Sequence, residues 1–343
     1  MSLIIESAPL RPPIPKLRDR RASCGSIRDR AKRLRIGLVN NMPDSALLAT
    51  ERQFTRLIEQ ASGDYDVRLT LISLESMPRD DAVRAAISGS YRDARQLRLA
   101  SVDALIVTGA DPRAEKLSDE PFWGELTALM DWSRGVVVST LYSCLAAHAL
   151  VYHRHGIARR RLPQKLSGVY ESEVVRVHEM TEGLTRTIAP HSRYNTLAEC
   201  DLDANGYLTL TRAPDAGADM FVKEGETLEV FWQSHPEYDH DTLAREYRRD
   251  MLRFLRGERP HAPMTPARYF DGEAQARIEA ALAGWPSLPI ETVAAALSPE
   301  ALSPAAAFWR EGSTQLMRNW LRAVARRKSI GRSTEFATAR WGG

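Results

Sequence analysis

Three observations in the sequence predict an α/β protein whose doubly wound, mostly parallel sheet is flanked by helices. Short apolar runs that end in polar or glycine turns are typical of buried strands. Segments with apolar residues three or four positions apart, typical of helices, follow several of these runs. The alternation has the spacing of βαβ units, which places helices on both faces of a parallel sheet. With 343 residues and 43% hydrophobic content, the chain can form a large core.

Each element of this sheet is predicted from its own run of residues. In the first helix, for example, Phe54, Leu57 and Ile58 form one apolar stripe. In chain order, the predicted elements are a strand at 35–41 (RIGLVNN), a helix at 49–62, an alternating strand at 66–74, a strand ending in a glycine turn at 103–110 (DALIVTGA), a helix at 120–132, a strand at 136–141 (VVVSTL), a helix at 145–155, strands at 207–212 (YLTLTR) and 228–234 (LEVFWQS), and an amphipathic helix at 241–255.

Changes in composition divide the chain into four segments. We expect a flexible basic arm at 1–34, the α/β domain at 35–258, a C-terminal helical extension packing on the core at 259–325, and a disordered tail at 326–343. The arm and the tail are rich in Arg and poor in apolar residues, so they bury too little surface to fold. The extension contains predicted helices at 274–283 and 308–325, and the exposed amphipathic character of the second suggests a homodimer.

Charge and cysteine content narrow the classes of function. The net charge of +3 is small and gathered near the chain ends, which argues against nucleic acid as a partner. The three cysteines, Cys24, Cys144 and Cys200, have the spacing of neither a disulfide framework nor a zinc site. No apolar run reaches the roughly 18 residues of a membrane span, and the first residues lack the pattern of a secretory signal. We therefore expect a cytoplasmic protein with no metal, no membrane partner and no cofactor.

Candidate catalytic residues follow the predicted strands. In doubly wound sheets, ligands bind beyond the carboxyl ends of the strands, and one such stretch ends in Cys144 while another contains His235 and Glu237. A cysteine that begins a helix has its thiolate stabilised by the helix dipole and by free backbone N–H groups, which can also hold an oxyanion. His235 would take the proton and Glu237 would orient the imidazole. A buried, inert thiol remains the alternative, since free cysteines are commonly buried.

The other histidines and cations are open to more than one interpretation. His148, His153 and His155 lack a metal pattern and are expected to be solvated or capping residues. His191 and Arg193 could both face a substrate carboxylate. Lys165 precedes a predicted glycine turn and could bind an anion or be a surface lysine.

Seven blocks of the sequence, in order over roughly residues 35–325, resemble the homoserine O-succinyltransferase family. They are NNMPD…ATERQF, DALIVTGA, STLYSC, QKLSGVYE, APHSRY, HPEYD…LAREYRRD and FWREGSTQLMRNWL. The family that the sequence resembles also contains homoserine O-acetyltransferases. It implies a class I glutamine amidotransferase-like (flavodoxin-like) fold and a role in methionine biosynthesis, with acyl-CoA and L-homoserine as the partners of a ping-pong acyl transfer.

The resemblance also implies roles for individual residues. Cys144 would attack the thioester of the acyl-CoA and carry the acyl group, with His235 as general base and Glu237 as its partner. Lys165 and Ser192 fall where the family places substrate contacts. Arg249 of REYRRD matches a family arginine suited to the amino acid's carboxylate, which a guanidinium binds through two parallel hydrogen bonds.

Two departures from the family pattern bear on the substrates. In the family, the third residue after the Thr-Gly-Ala turn separates the donors, with glycine for succinyl and glutamate for acetyl transfer; here it is Arg113. An arginine can pair with the free carboxylate of a succinyl group, so the sequence predicts succinyl-CoA over acetyl-CoA. The family's first turn usually carries lysines after Met-Pro, whereas this chain has Asp44 and Ser45. That change keeps another hydroxy-amino acid, such as L-serine, open as the acceptor.

Two other functions compete with acyl transfer. Glutamine amidotransfer uses the same fold and a similar Cys–His–Glu set, but it predicts a glycine-flanked cysteine, whereas Ser143 and Leu145 flank Cys144 here. A catalytically inactive binding protein would have lost a member of the triad, and all three candidates are present.

Overall fold

A nine-stranded, mostly parallel sheet forms the centre of the computed structural model, which describes residues 3–5, 32–95, 102–304 and 306–339. Its strands are β1 Leu3–Ile5, β2 Arg33–Val39, β3 Asp66–Ser73, β4 Arg92–Asp93, β5 Ala104–Val107, β6 Ser139–Ser143, β9 Leu208–Thr209, β12 Met220–Lys223 and β13 Leu228–Trp232. The strand order is β1-β3-β2-β5-β6-β13-β12-β9, with β4 paired to β3. All pairs from β1 to β13 are parallel, and β12 and β9 complete the sheet in antiparallel pairing.

Helices cover both faces of this sheet, which confirms the predicted doubly wound α/β class. Successive residues of β5 alternate between the two cores: Ile106 packs with the helices of one face and Leu105 with those of the other. The helices are α1 Asp44–Ala61, α2 Asp81–Ile87, α3 Trp123–Ser133, α4 Leu145–His155, α5 Glu199–Ala204, α6 Thr242–Leu255, α7 Gly272–Ala283, α8 Ile290–Ala296, α9 Pro299–Leu302 and α10 Arg310–Ala339. α1 and α10 lie on the first face, and α3 and α4 on the second.

A second, four-stranded antiparallel sheet was not predicted. It consists of β7 Arg160–Val174, β8 Arg186–Thr196, β10 Thr211–Ala213 and β11 Gly217–Ala218, in the order β11-β10-β7-β8. Polar residues interrupt the long hairpin of β7 and β8, so neither strand gives a continuous apolar run. The glycine turn predicted after Lys165 is wrong, because Gly168 lies within β7 opposite His191. The predicted strand at 207–212 is also divided between the two sheets.

Among the described residues, parts of both terminal segments are more ordered than the sequence predicts. Leu3–Ile5 pairs in parallel with β3, so the flexible arm expected at 1–34 contains an edge strand at its beginning. Residues 6–31, including Cys24, lie outside the described residues. α10 continues to Ala339, so residues 326–339 are helical rather than disordered. Lys328 explains part of this difference, because its Nζ donates to Asp103 Oδ2 at 2.6 Å and ties the helix to the start of β5.

The C-terminal helical segment packs against the end of the α/β domain. α6 through α9 share one apolar cluster with the aromatic rings of Tyr238, Tyr269 and Trp309. α10 then returns across the central sheet, where the indole of Trp320 is fully buried and donates to Ser139 Oγ at 2.9 Å. Among the described residues, no helix combines the length and apolar character needed to cross a membrane.

Candidate active site

Cys144 occupies the turn between β6 and α4, at the carboxyl edge of the central sheet. Its backbone has φ 49° and ψ −109°, a conformation that side-chain-bearing residues rarely adopt. Such strain costs about 1–3 kcal/mol and persists where the surrounding structure enforces it. The Cys144 N–H donates to Trp232 O at 2.7 Å, which holds the turn against β13. The thiol is partly exposed at the start of α4, as expected for a nucleophile on a strand-turn-helix elbow.

His235 and Glu237 form a buried pair next to Cys144. His235 Nδ1 lies 2.8 Å from Glu237 Oε1, and the two residues are 8% and 3% exposed. Burial opposes a charged imidazole, but the negative charges of Glu237 and Cys144 outweigh it and raise the pKa of His235 well above its usual value. The imidazolium is therefore favoured while a thiolate faces it. The structure brings the three predicted catalytic residues together.

The turn after β5 approaches Cys144 closely because it contains a glycine. A Cβ built on Gly109 would lie 3.4 Å from the Leu145 backbone nitrogen and 3.6 Å from the Cys144 Cβ. Any larger side chain would fill the space directly above the elbow. The Leu145 backbone nitrogen, at the first position of α4, therefore lies next to this turn.

A second layer of buried polar residues supports the catalytic ones. His191 is fully buried and accepts a hydrogen bond on Nδ1 from Arg193 Nε at 3.3 Å. Burial, Arg193 and His235 all lower the pKa of His191 well below its usual value, so it is neutral. Its Nε2 lies 3.7 Å from Asp219 Oδ1, which accepts the Ser234 N–H at 3.1 Å. The sequence did not predict this support for the loop that carries His235.

His148 is also structural and buried, so its predicted solvated or capping role is wrong. Its Nε2 lies 2.9 Å from Gln233 Oε1, and Gln233 Nε2 donates to Ala218 O at 2.6 Å. Burial lowers the pKa of His148 to about 3, so the ring is neutral and donates from Nε2. The same Gln233 oxygen accepts the Leu197 N–H at 3.3 Å. These bonds tie the end of the second sheet to the first turn of α4.

Three of the predicted substrate-binding residues lie together around two carboxylates of α6. Lys165 Nζ donates to Glu246 Oε2 at 3.0 Å and to Asp250 Oδ2 at 3.2 Å. The Ser192 hydroxyl donates to the same Glu246 oxygen. Arg249 Nε donates to Asp250 Oδ1 at 3.0 Å, and its side chain is 59% exposed. The arrangement forms a mixed-charge cluster in which Arg249 is the exposed cation.

Tyr238 connects this cluster to the catalytic pair. Its ring stacks on the His235 imidazole with centroids 4.3 Å apart, and its hydroxyl donates to Glu246 Oε1 at 2.8 Å. Burial raises the Glu246 pKa, but the charge of Lys165 and the hydrogen bonds from Ser192, Lys165 and Tyr238 outweigh it and lower the pKa to about 2. Tyr238 and Glu246 were not predicted from the sequence. Glu246 and Asp250, four residues apart on the face of α6 that also carries apolar residues, were the available signal.

The C-terminal segment holds the loop that follows Glu237. Trp309 Nε1 donates to Tyr238 O at 3.1 Å, and Arg310 donates to the same oxygen at 2.8 Å. Arg310 also lies 3.3 Å from Asp239 Oδ1, which accepts a second bond from Arg56 at 2.6 Å. The block FWREG therefore supports the catalytic loop from outside the α/β domain.

Arg113 lies in the turn after β5, and its side chain is exposed. Its backbone N–H and that of Ala114 donate to Glu120 Oε1 at 2.5 and 2.7 Å, which fixes the turn. Burial lowers the pKa of Arg249, but the charges of Asp250, Glu246 and Asp111 outweigh it and raise that pKa, and Asp111 belongs to the same turn as Arg113. Pairing of Arg113 with a succinyl carboxylate stays a prediction.

The altered first turn is anchored by a buried arginine. Arg79 donates to Asn40 O at 3.0 Å, to Met42 O at 3.2 Å and to Asp44 Oδ1 at 3.0 Å. The other Asp44 oxygen accepts the Asp80 N–H at 2.8 Å. Asp44 therefore serves the shape of the turn. Among the described residues, no group of three His, Cys, Asp or Glu side chains could hold a metal ion.

The fold and the site together define an α/β protein with the Cys–His–carboxylate set of nucleophilic catalysis. Comparison with known proteins narrows this class: a family model described as homoserine O-succinyltransferase matches residues 14–330. The chain belongs to this family and is an acyltransferase.

Individual relatives agree with the family model. The homoserine O-succinyltransferase of Methylorubrum extorquens is 47% identical over 307 residues, which cover 87% of this chain and 89% of that protein. The one from Rhodopseudomonas palustris is 46% identical over 297 residues, covering 86% and 89%. Among solved structures, a glutamine amidotransferase from Thermotoga maritima matches with a TM-score of 0.46 and 12% identity, over 85% of this chain and 98% of that one.

Proposed function

We propose that the protein transfers the succinyl group of succinyl-CoA to the hydroxyl of L-homoserine through an acyl-enzyme on Cys144. The observation that carries this proposal is the strained elbow of Cys144 beside the buried His235–Glu237 pair, in a chain of the homoserine O-succinyltransferase family. The expected setting is methionine biosynthesis in the cytoplasm, with a homodimer as the working form.

In the first half-reaction, the Cys144 thiolate attacks the thioester carbonyl. The negative charge that develops on the carbonyl oxygen is stabilised by the Leu145 N–H and the N-terminal dipole of α4. The C–S bond to CoA then breaks, and the CoA thiolate takes the proton from the His235 imidazolium. The raised pKa of His235 favours this step, because it keeps the proton available until the leaving group forms.

In the second half-reaction, His235 acts as general base. Acylation removes the thiolate charge, which is one cause of the raised pKa of His235, so the neutral imidazole becomes easier to form. It accepts the proton of the homoserine hydroxyl as the oxygen attacks the acyl carbonyl. The bond between the carbonyl carbon and Cys144 Sγ then breaks, which releases O-succinylhomoserine and returns the Cys144 thiolate. Glu237 Oε1 accepts the hydrogen bond of Nδ1–H, which leaves the other ring nitrogen to face the substrates.

The mixed-charge cluster on α6 is the amino-acid site of this proposal. We propose that Arg249 pairs with the homoserine carboxylate, because it is the exposed cation and a guanidinium matches a carboxylate with two hydrogen bonds. Lys165 and Ser192 are proposed to position the acceptor beside His235 through the Glu246–Tyr238 connection. Arg113 is proposed to favour a succinyl donor.

Intact-mass spectrometry with acyl-CoA in the absence of acceptor tests the proposal. Succinyl-CoA should add one succinyl group, and L-homoserine should then remove it and yield O-succinylhomoserine. Cys144→Ala should lose the adduct, whereas Cys200→Ala, which changes an exposed cysteine, should keep it. An adduct that survives Cys144→Ala would contradict the acyl-enzyme.

A panel of substrates tests the remaining alternatives. Acetyl-CoA and succinyl-CoA are compared as donors by kcat/KM, and L-homoserine and L-serine as acceptors by release of the acyl group. Faster acylation by acetyl-CoA, or preferred transfer to L-serine, would replace the corresponding part of the proposal. The altered turn at Asp44 is the observation that makes the acceptor worth testing.

A further inference from the structure

A bulge interrupts the pairing of β7 with β8 beside the mixed-charge cluster. At this point β7 runs from Arg161 to Leu166, while the facing part of β8 runs only from Asn195 to Arg193. β7 therefore has extra residues opposite Tyr194. Bulges are frequent next to active sites, where they redirect side chains out of the regular pattern of the sheet.

Tyr194 is a partly exposed aromatic residue with two cations near its ring. The Arg161 guanidinium lies 4.6 Å from the ring centroid, and Lys165 Nζ lies 6.0 Å from it. Lys165 is compensated by Glu246 and Asp250, whereas no carboxylate of the described residues lies within ion-pair distance of Arg161. The ring is 37% exposed and Arg161 is exposed as well, so both can contact a ligand. An exposed guanidinium without a counter-ion is suited to an anionic group.

The contacts of β8 place Tyr194 close to the catalytic residues. Pro190 O accepts the His235 N–H at 2.7 Å, and the Ser192 hydroxyl donates to Glu246. Alternate residues of a strand point to the same side, so Ser192 and Tyr194 share one face of β8. At about 3.4 Å per residue, Tyr194 lies roughly 14 Å along the strand from Pro190.

We propose that Arg161 and Tyr194 bind the nucleotide end of the acyl-CoA, with the guanidinium on a phosphate and the adenine packing on the aromatic ring. This inference deepens the proposed function and rests on it. About 13 bonds join the sulfur of CoA to its first phosphate, and a chain of that length spans up to roughly 15 Å. This reach matches the separation between the loop of His235 and Tyr194 along β8.

The chemistry of the nucleotide accounts for both members of the pair. A guanidinium binds a phosphate through two parallel hydrogen bonds, and a flat base stacks on an aromatic ring. The acyl end of the donor has neither a phosphate nor a base. Contacts of Arg161 and Tyr194 should therefore matter for every acyl-CoA, and for no donor that lacks the nucleotide.

The first test compares two donors, succinyl-CoA and the succinyl thioester of N-acetylcysteamine, which lacks the nucleotide. For Arg161→Gln and for Tyr194→Ala, kcat/KM of acylation by succinyl-CoA should fall roughly five- to thirtyfold, with less than a twofold change for the short donor. Arg186→Gln is the matched control and should change neither donor, because Arg186 is an exposed arginine of the same hairpin that pairs with Glu171 at 3.1 Å. Equal losses with both donors, or no loss with succinyl-CoA, would overturn the proposal.

The second test assigns the contacts within the nucleotide. Succinyl-dephospho-CoA lacks the 3′-phosphate, so a smaller loss from Arg161→Gln with this donor would assign Arg161 to that phosphate, and an undiminished loss would assign it to the diphosphate. Either result supports the proposal. Tyr194→Phe keeps the ring and should lose less than half of what Tyr194→Ala loses. Equal losses for these two variants would overturn the stacking role of Tyr194.

A binding measurement separates this inference from the function on which it rests. Calorimetric titration of the Cys144→Ala protein with CoA requires no catalysis, and adding Arg161→Gln should raise the Kd by roughly the same five- to thirtyfold. Thermal unfolding shows whether each variant is folded. Unchanged CoA affinity in folded variants would refute the role of Arg161 and leave the acyl-enzyme proposal standing. An unsubstituted protein that forms no adduct with succinyl-CoA would instead refute the acyl-enzyme, while the titration still tests Arg161.

Discussion

Replacing Glu237 by Gln gives the sharpest test of how His235 works. The substitution preserves size and removes the charge that lies 2.8 Å from Nδ1. A hydrogen bond to a charged group contributes about 1.5–3 kcal/mol, and one pKa unit corresponds to about 1.4 kcal/mol. The pKa of His235, raised in part by Glu237, should therefore fall by about one to two units. The shift is downward because the substitution removes an anion that stabilises the imidazolium.

The substitution should also lower the maximum rate. The new side-chain amide can donate to Nδ1, which leaves the proton on the ring nitrogen that must accept one from homoserine. Loss of the correct tautomer in related triads costs up to about 10⁴-fold, so we expect a fall of roughly 10²–10⁴-fold. The assay is the rate of deacylation of the isolated acyl-enzyme by homoserine, measured over a series of pH values by intact mass.

Two features of this pH profile are decisive. The limb on which the rate rises with pH should move to lower pH, since the base loses its proton more easily, while the plateau falls. Glu224→Gln is the control, because Glu224 pairs with His178 Nε2 at the same 2.8 Å but on an exposed surface. It should change the rate less than twofold. An unshifted limb, or a plateau within twofold of the unsubstituted protein, would refute the assignment of Glu237.

Three further predictions concern stability. Because the pKa of Glu246 is about 2, its carboxylate stabilises the folded state by about 3 kcal/mol above pH 4.5, and this contribution is lost as the pH falls toward 2. The loss should be absent in Glu246→Gln. Equal slopes of unfolding free energy against pH for the two proteins would contradict the prediction. Because the backbone of Cys144 is strained at φ 49°, the free energy of unfolding measured in urea should be about 1 kcal/mol higher for Cys144→Gly than for Cys144→Ala. A less stable Gly variant would argue against strain. A Cβ on Gly168 would lie 2.4 Å from the backbone oxygen of Ala267, whereas the space around Gly217 is open. Gly168→Ala should therefore lower the free energy of unfolding by roughly 3 kcal/mol and Gly217→Ala by about 1 kcal/mol. Equal losses in urea unfolding would contradict the clash.

The central sheet could be predicted because its strands are buried on both faces. RIGLVNN, DALIVTGA and LEVFWQS each contain an apolar run; β5 and β13 lie within the predicted ranges, and β2 begins two residues before its predicted range. The hairpin of β7 and β8 could not be predicted in this way, since its buried positions carry polar residues such as Ser172, Thr187 and His191. Their partners are distant in sequence, and local periodicity contains no information about them.

The residues of the candidate site that follow central strands could be predicted, and those that depend on the second sheet could not. Cys144, His235 and Glu237 follow strands of the central sheet, and the topology of a doubly wound fold brings strand ends together. Glu246 lies on α6, and its contacts depend on how α6 packs against the second sheet. Its functional surroundings appear only when the chain is folded, because Lys165, Ser192 and Tyr238 come from β7, β8 and the loop after Glu237.

Glu246 joins the two halves of the site, which limits how substitutions there can be interpreted. Its carboxylate accepts from Lys165 and Ser192 on one side and from Tyr238 on the other, and the Tyr238 ring stacks on His235. Removing Lys165 therefore leaves a buried carboxylate undercompensated within reach of the catalytic base. A change in kcat on substitution of Lys165 would follow from that electrostatic connection even if the lysine never touches homoserine. Only a change confined to KM would point to direct contact with the substrate.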